Sequence, residues 1–180
     1  MPISRPSFAR RAALIVPVIL LAALAGCTTQ KPVPPCPPIR VDSSTASLTK
    51  FKDGPGRDVT DIEYQAEIVG YKGKCVHEDD NVEVQFDLDL TIAGGAAAKG
   101  GAVDLYYFVA IPQFFPDPAG KHIIQVKRDV PASGKQEHFT ESNVRLRIPL
   151  TKDQAGAAFD IYVGFQVDNA QLEYNRANPR

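Results

Sequence analysis

The sequence predicts an all-β fold, an antiparallel immunoglobulin-like β-sandwich of about seven strands, on three observations. Apolar and polar residues alternate with period two over long stretches, as they do in strands with one dry and one wet face. Turn signals interrupt these stretches at short intervals: Gly54-Pro55-Gly56, Gly94-Gly95, Gly100-Gly101, Pro116-Asp117-Pro118 and Ser133-Gly134. No long segment carries the 3.6-residue apolar period of a helix. Short strands joined by polar turns are the pattern of a sandwich. The chain has no tryptophan, so the Cys…Trp…Cys framework of antibody-type domains is excluded.

Alternation begins at about residue 46. Ile62, Tyr64, Ala66 and Ile68 fall on one face, with Glu63, Gln65 and Glu67 on the other. From Asn81 to Ile92 the pattern is clearest: Val82, Val84, Phe86, Leu88, Leu90 and Ile92 alternate with Glu83, Gln85, Asp87, Asp89 and Thr91. Val103 to Ile111 is apolar almost throughout and reads as a central strand. Further strands are expected at 122–130, at 143–150 with Val144, Leu146 and Ile148 inward, and at 159–168. Thr151-x-x-Gln154 has the form of a capping box and predicts one short helical turn.

The 180 residues are 44% hydrophobic and 23% charged, which suits one ordinary domain and excludes a disordered chain. A net charge of −1 argues against nucleic acid as a partner, because counterion release needs a basic surface. The N-terminus has a different character. Arg5, Arg10 and Arg11 precede an apolar run from Ala12 to Gly26, shorter than the ~20 residues a membrane-spanning helix needs and interrupted by Pro17. This is the layout of an export signal.

The run ends in Leu24-Ala25-Gly26-Cys27, which resembles the lipobox of bacterial lipoproteins. The resemblance implies lipid on the Cys27 sulfur, cleavage before it and acylation of the new amino terminus; several acyl chains together anchor firmly to a membrane. Thr28 follows the cysteine, where the enterobacterial pattern places aspartate for inner-membrane retention. The resemblance therefore implies the periplasmic face of the outer membrane. Removal of residues 1–26 leaves 17 basic and 21 acidic residues, a mildly acidic mature chain.

The expected organisation is a signal peptide at 1–26, a lipidated tether at 27–45 and the sandwich at 46–180. Prolines at 32, 34, 35, 37 and 38 favour a semi-rigid polyproline II spacer. With Cys27 lipidated, Cys36 and Cys75 remain as an even pair in an oxidising compartment, either bonded to each other near a turn at Gly73-Lys74-Cys75 or left as free or intermolecular thiols. A bond would close a loop of 38 intervening residues. As a whole the chain resembles small proteobacterial lipoproteins with one β-sandwich of unassigned role, on the lipobox, the tether and segments such as GRDVTDIEYQAEIVGY and FDIYVGFQVD. That resemblance brings no catalytic residues with it.

Constellations for chemistry are sparse. Cys75-Val76-His77-Glu78-Asp79-Asp80 packs ligand-type residues together but lacks a second histidine at metal-binding spacing. Asp79-Asp80-Asn81 does not follow a calcium loop. Gly54-Pro55-Gly56-Arg57-Asp58 lacks the lysine and hydroxyl of a phosphate loop. Asp58, Asp61 and Glu63 have no evident apolar pocket to raise one pKa, as paired carboxylates of a glycosidase require. Ser133 and Ser142 lie in polar sequence without a nucleophile elbow, and His122 and His138 are isolated. No enzyme, metal or cofactor is expected.

The best interaction candidate is Phe114-Phe115, flanked by Pro112, Pro116 and Pro118. Adjacent side chains on an extended segment point to opposite sides. Either the pair is an exposed anchor on a stiff loop, or the loop folds over the end of the sandwich and buries the rings. At least one ring is expected to be buried. The leading expectation is a protein partner, and the alternative is a small ligand or glycan stacked on tyrosines.

Overall fold

The computed structural model describes residues 34–151 and 153–179. The signal peptide, Cys27 and the first part of the tether lie outside the described residues. Among the described residues, eight strands form two four-stranded sheets. They are β1(Ile39–Val41), β2(Ser47–Phe51), β3(Ile62–His77), β4(Asn81–Gly94), β5(Ala102–Ala110), β6(Lys121–Asp129), β7(Gln136–Pro149) and β8(Ile161–Phe165). One sheet has the order β2-β3-β4-β7 and the other β1-β8-β5-β6.

The chain crosses between sheets from β1 to β2, from β4 to β5, from β6 to β7 and from β7 to β8. The neighbours β4 and β7 in one sheet thereby interlock with the neighbours β5 and β8 in the other. An immunoglobulin sandwich has the same centre, with B beside E and C beside F. β6 lies next to β5 as C′ lies next to C. The seat beside β8, which the last strand takes in that fold, is filled by the first strand: β1 pairs with β8 in parallel, Ile39 opposite Ile161 and Val41 opposite Val163. Residues 39–41 thus belong to a sheet, and the sandwich begins earlier than residue 46. Three residues directly after a proline-rich stretch carry no readable alternation, so only pairing with β8 identifies them as a strand.

The core is where the alternation places it. The six inward side chains of β4 are none more than 2% exposed. Leu105, Tyr107 and Val109 of β5 and Ile161, Val163 and Phe165 of β8 face them from the other sheet. β3 follows its predicted face as far as Ile68. A bulge between Ile68 and Gly70 then shifts the register, so that Tyr71, Gly73, Cys75 and His77 stand opposite Leu88, Phe86, Val84 and Val82 in place of the even-numbered residues. The expected turn at Gly73-Lys74-Cys75 is therefore inside a strand, and the hairpin turns at 78–80. Glycine at 73 has a packing reason: a Cβ there would lie 3.1 Å from Phe86 Cβ and 3.4 Å from Ile39 Cδ1.

Other differences lie in polar sequence. β7 begins at Gln136, earlier than residue 143, so His138 and Ser142 lie in a strand. The helix α1(Asn169–Ala177) follows β8 and is not foreseen from apolar periodicity. Its start is a full capping box: Asp168 accepts from the Gln171 N–H at 2.8 Å, and Gln171 Oε1 accepts from the Asp168 N–H at 3.0 Å. The expected box at Thr151 is half formed, Gln154 Oε1 accepting from the Thr151 N–H, and the short 3₁₀ turn falls slightly later, at Gly156–Ala158. α1 lies along β2, where buried Asn175 donates to the carbonyls of Ser44 and Ser47 at 2.9 and 2.7 Å.

Candidate functional site

A two-sheet sandwich has two lateral seams, and here they differ. At the first, β1 and Cys36 sit against the lower half of β3. Cys36 and Cys75 are bonded, with Cα atoms 5.7 Å apart. The bond links the segment entering β1 to β3 in the opposite sheet. Tyr71 adds a second link by donating its hydroxyl to the Ile39 carbonyl at 2.7 Å. Arg40 pairs with Asp160 at 2.9 Å on the outer side.

At the second seam β6 and β7 face each other. Among the described residues β6 pairs only with β5, and β7 only with β4. One part of the seam is clipped by Arg128, which reaches from β6 to Glu141 of β7 at 2.5 Å and lies 4.3 Å over the Phe139 ring. Further along, the sheets part into a groove of about 690 Å³ lined by Ile111, Phe114, His122, Arg145, Leu146 and Arg147, among others. His122, Arg145 and Leu146 also line an adjoining stretch of about 420 Å³ that runs over Tyr107, Val109 and Val144. Burial, with the Glu141 charge adding, pushes the Tyr107 phenol up to about 12.

The loop from Ile111 to Lys121 forms one end of the groove. It is two short 3₁₀ turns, Pro112–Phe114 and Pro118–Gly120, fastened by backbone bonds from Phe114 N–H to Ile111, Phe115 N–H to Pro112 and Asp117 N–H to Phe114. Asp117 caps the second turn through the Ala119 N–H at 2.7 Å. The bond between Phe115 and Pro116 is cis. Phe114 turns inward and packs on Phe159, ring centroids 5.3 Å apart. Phe115 is 83% exposed. The two rings therefore divide between the readings left open by the sequence: one packs on the core, the other faces solvent.

The other motifs have structural occupations. Asp58 caps a 3₁₀ turn, Val59–Asp61, by accepting from the Thr60 hydroxyl and N–H, and these bonds hold its pKa below the ordinary carboxylate value. Asp61 is buried and pairs with Lys52 at 2.6 Å; its carboxylate fills the space that a side chain at Gly56 would need. Glu63 pairs with Lys99 at 2.6 Å. In the hairpin turn, Asn81 Nδ2 donates to Glu78 and Asp80, each at 2.7 Å. His77 Nδ1 lies 3.8 Å from Cys75 Sγ, and no group of three His, Cys, Asp or Glu side chains among the described residues is arranged to hold a metal.

The groove itself was missed by sequence reasoning. Its weak signal was basic residues in two strands, Lys121, Lys127 and Arg128 in one and Arg145 and Arg147 in the other, a habit of exposed edges. Comparison with family models, with curated proteins and with solved structures yields no match for this chain.

Proposed function

We propose that the chain is a non-enzymatic envelope lipoprotein, anchored by lipid on Cys27 at the periplasmic face of the outer membrane, whose sandwich domain docks a protein partner in an envelope assembly. The anchor rests on the Leu24-Ala25-Gly26-Cys27 box and the basic and apolar segments before it. The docking role rests on one observation: Phe115 projects 83% exposed from a loop that backbone hydrogen bonds and the packing of Phe114 hold in place. A large aromatic side chain presented on an ordered loop can bind with little loss of conformational entropy, as interface anchors do.

Two measurements test this. An alkyne analogue of palmitate should label the wild type and leave Cys27→Ala unlabelled; equal labelling would remove the anchor. A photo-crosslinking residue at position 115 should give one recurrent adduct in cells, with none from position 89 on the outer face of β4. No adduct, or the same adduct from both positions, would remove the docking role. A small-ligand or glycan site is the second reading, favoured by a groove volume within the range of small-molecule pockets. A ligand that raises the melting temperature without competing with the crosslink would favour it.

A further inference from the structure

We infer that the groove between β6 and β7 is the seat of an extended, acidic peptide segment of the partner, which pairs with a free strand edge and lays alternate apolar side chains on the groove floor. The inference rests on the docking reading above and names the chemistry of what docks. Both walls are edge strands, so each presents backbone N–H and C=O groups along the groove that no neighbouring strand takes up among the described residues. Addition of a strand to such an edge supplies affinity through the main chain, and pockets for alternate side chains supply specificity. Residues 144–149 of β7 run for about 20 Å at strand rise, enough for a six-residue segment. Val144 and Leu146 provide apolar contact at the spacing of a strand's inward side chains, and Ile111 adds to it from the end of β5.

The charge pattern selects the partner. His122, Arg145 and Arg147 line the groove. Its two carboxylates are already engaged, Asp117 in capping the Ala119 N–H and Glu141 in pairing with Arg128. Arg145 donates to Asn143 and has no acidic partner among the described residues. Arg147 stands 3.8 and 3.9 Å from Asp80 and Glu78, while its side chain is 70% exposed. Cations on an edge oppose pairing with a second copy of the same edge and leave it open to an acidic strand. A compact amphiphile would use the floor but not the length of the two edges.

The test uses the full chain in detergent and three defined probes. The first is a library of blocked octapeptides alternating glutamate with Val, Leu, Ile or Phe. The second carries lysine in place of glutamate, and the third is laurate. The acidic library should bind at least ten-fold tighter than the basic one and slow amide exchange within 121–126 or 144–149. Arg145→Glu combined with Arg147→Glu should reverse that preference. If the variant folds poorly, N-methylation of alternate residues in the acidic library should abolish binding to the wild type. Equal binding of both libraries, protection elsewhere, no binding, or a groove response to laurate alone would overturn the inference. The crosslink from position 115 reads separately, so its persistence beside a failed peptide test would leave the docking role standing.

Discussion

The two lateral seams of the sandwich face the same problem and solve it differently. Two stacked sheets leave their edges open to water and to unwanted strands. At the β1 side a disulfide and a tyrosine hydroxyl bond to a backbone carbonyl tie the sheets together, β1 extends its own sheet in parallel with β8, and α1 lies along β2. At the β6–β7 side the Arg128–Glu141 ion pair spans the gap, and beyond it the sheets part. The difference teaches that the covalent tie and the open groove lie on opposite sides, and the docking proposed above uses the open one. The covalent side constrains the unfolded chain, and the open side leaves backbone and apolar floor accessible.

The strongest way to break the comparison is to remove the staple. Cys36→Ala with Cys75→Ala frees a loop of 38 intervening residues and should lower stability by about 3–4 kcal/mol, by loop-closure entropy. At about 2–4 °C per kcal/mol for a chain of this size, the melting temperature should fall by roughly 6–16 °C. A fall below about 2 °C would show that the strand and tyrosine close that seam without the bond. The β6–β7 groove should keep its amide-exchange pattern in the same variant.

The loop at the end of the open seam offers the next test. Phe114→Ala removes a ring packed against Phe159 and should cost about 2–3 kcal/mol, below the roughly 3–5 kcal/mol of fully buried phenylalanines because the ring is only half-buried. Phe115→Ala, at the next residue, should change stability by less than about 0.5 kcal/mol, as for other exposed positions. Chemical denaturation of the two single variants reads both. Equal losses would mean that the loop folds as a unit and that exposure does not separate the rings.

A pH titration sharpens the contrast between the two faces of β5. Tyr106 is 41% exposed and Tyr107 2%. Tyrosine ionises near 10 in an unfolded chain, whereas Tyr107 is pushed up to about 12 by burial and Glu141. Between those values the unfolded chain loses a proton that the folded one keeps, so stability is intact below about pH 10 and is lost as pH rises toward 12. Ultraviolet titration should find two of the six tyrosines, Tyr107 and Tyr64, ionising above the ordinary value because burial desolvates both, and Tyr107→Phe should reduce the alkaline loss. An unchanged alkaline limb would place the burial effect elsewhere.

The smallest expected effect is at the clip. Arg128→Ala should cost about 1 kcal/mol or less, since both partners of the pair keep some contact with water. A double-mutant cycle with Glu141→Gln isolates the pair. A coupling above about 2 kcal/mol would mean that the open seam is held nearly as firmly as the stapled one.

By itself the sequence determined the strands of the core and the class of the fold. Val82 to Ile92 and Ile62 to Ile68 alternate because each side chain meets either water or the opposite sheet, and Val103 to Ile111 is legible as a short apolar run. The disulfide was legible as the even pair left once Cys27 is set aside. Only the tertiary structure decided the rest, because it depends on neighbours far along the chain. Residues 39–41 are a strand because β8 offers an edge. Cys75 faces inward because a bulge after Ile68 shifts the row. α1 is held by side-chain bonds to β2 and by its cap rather than by an apolar stripe. Phe114 and Phe115 carry the same side chain and part company over a turn geometry that alternation does not encode. The groove exists because β6 and β7 end their sheets, a property of strand order that no local pattern holds.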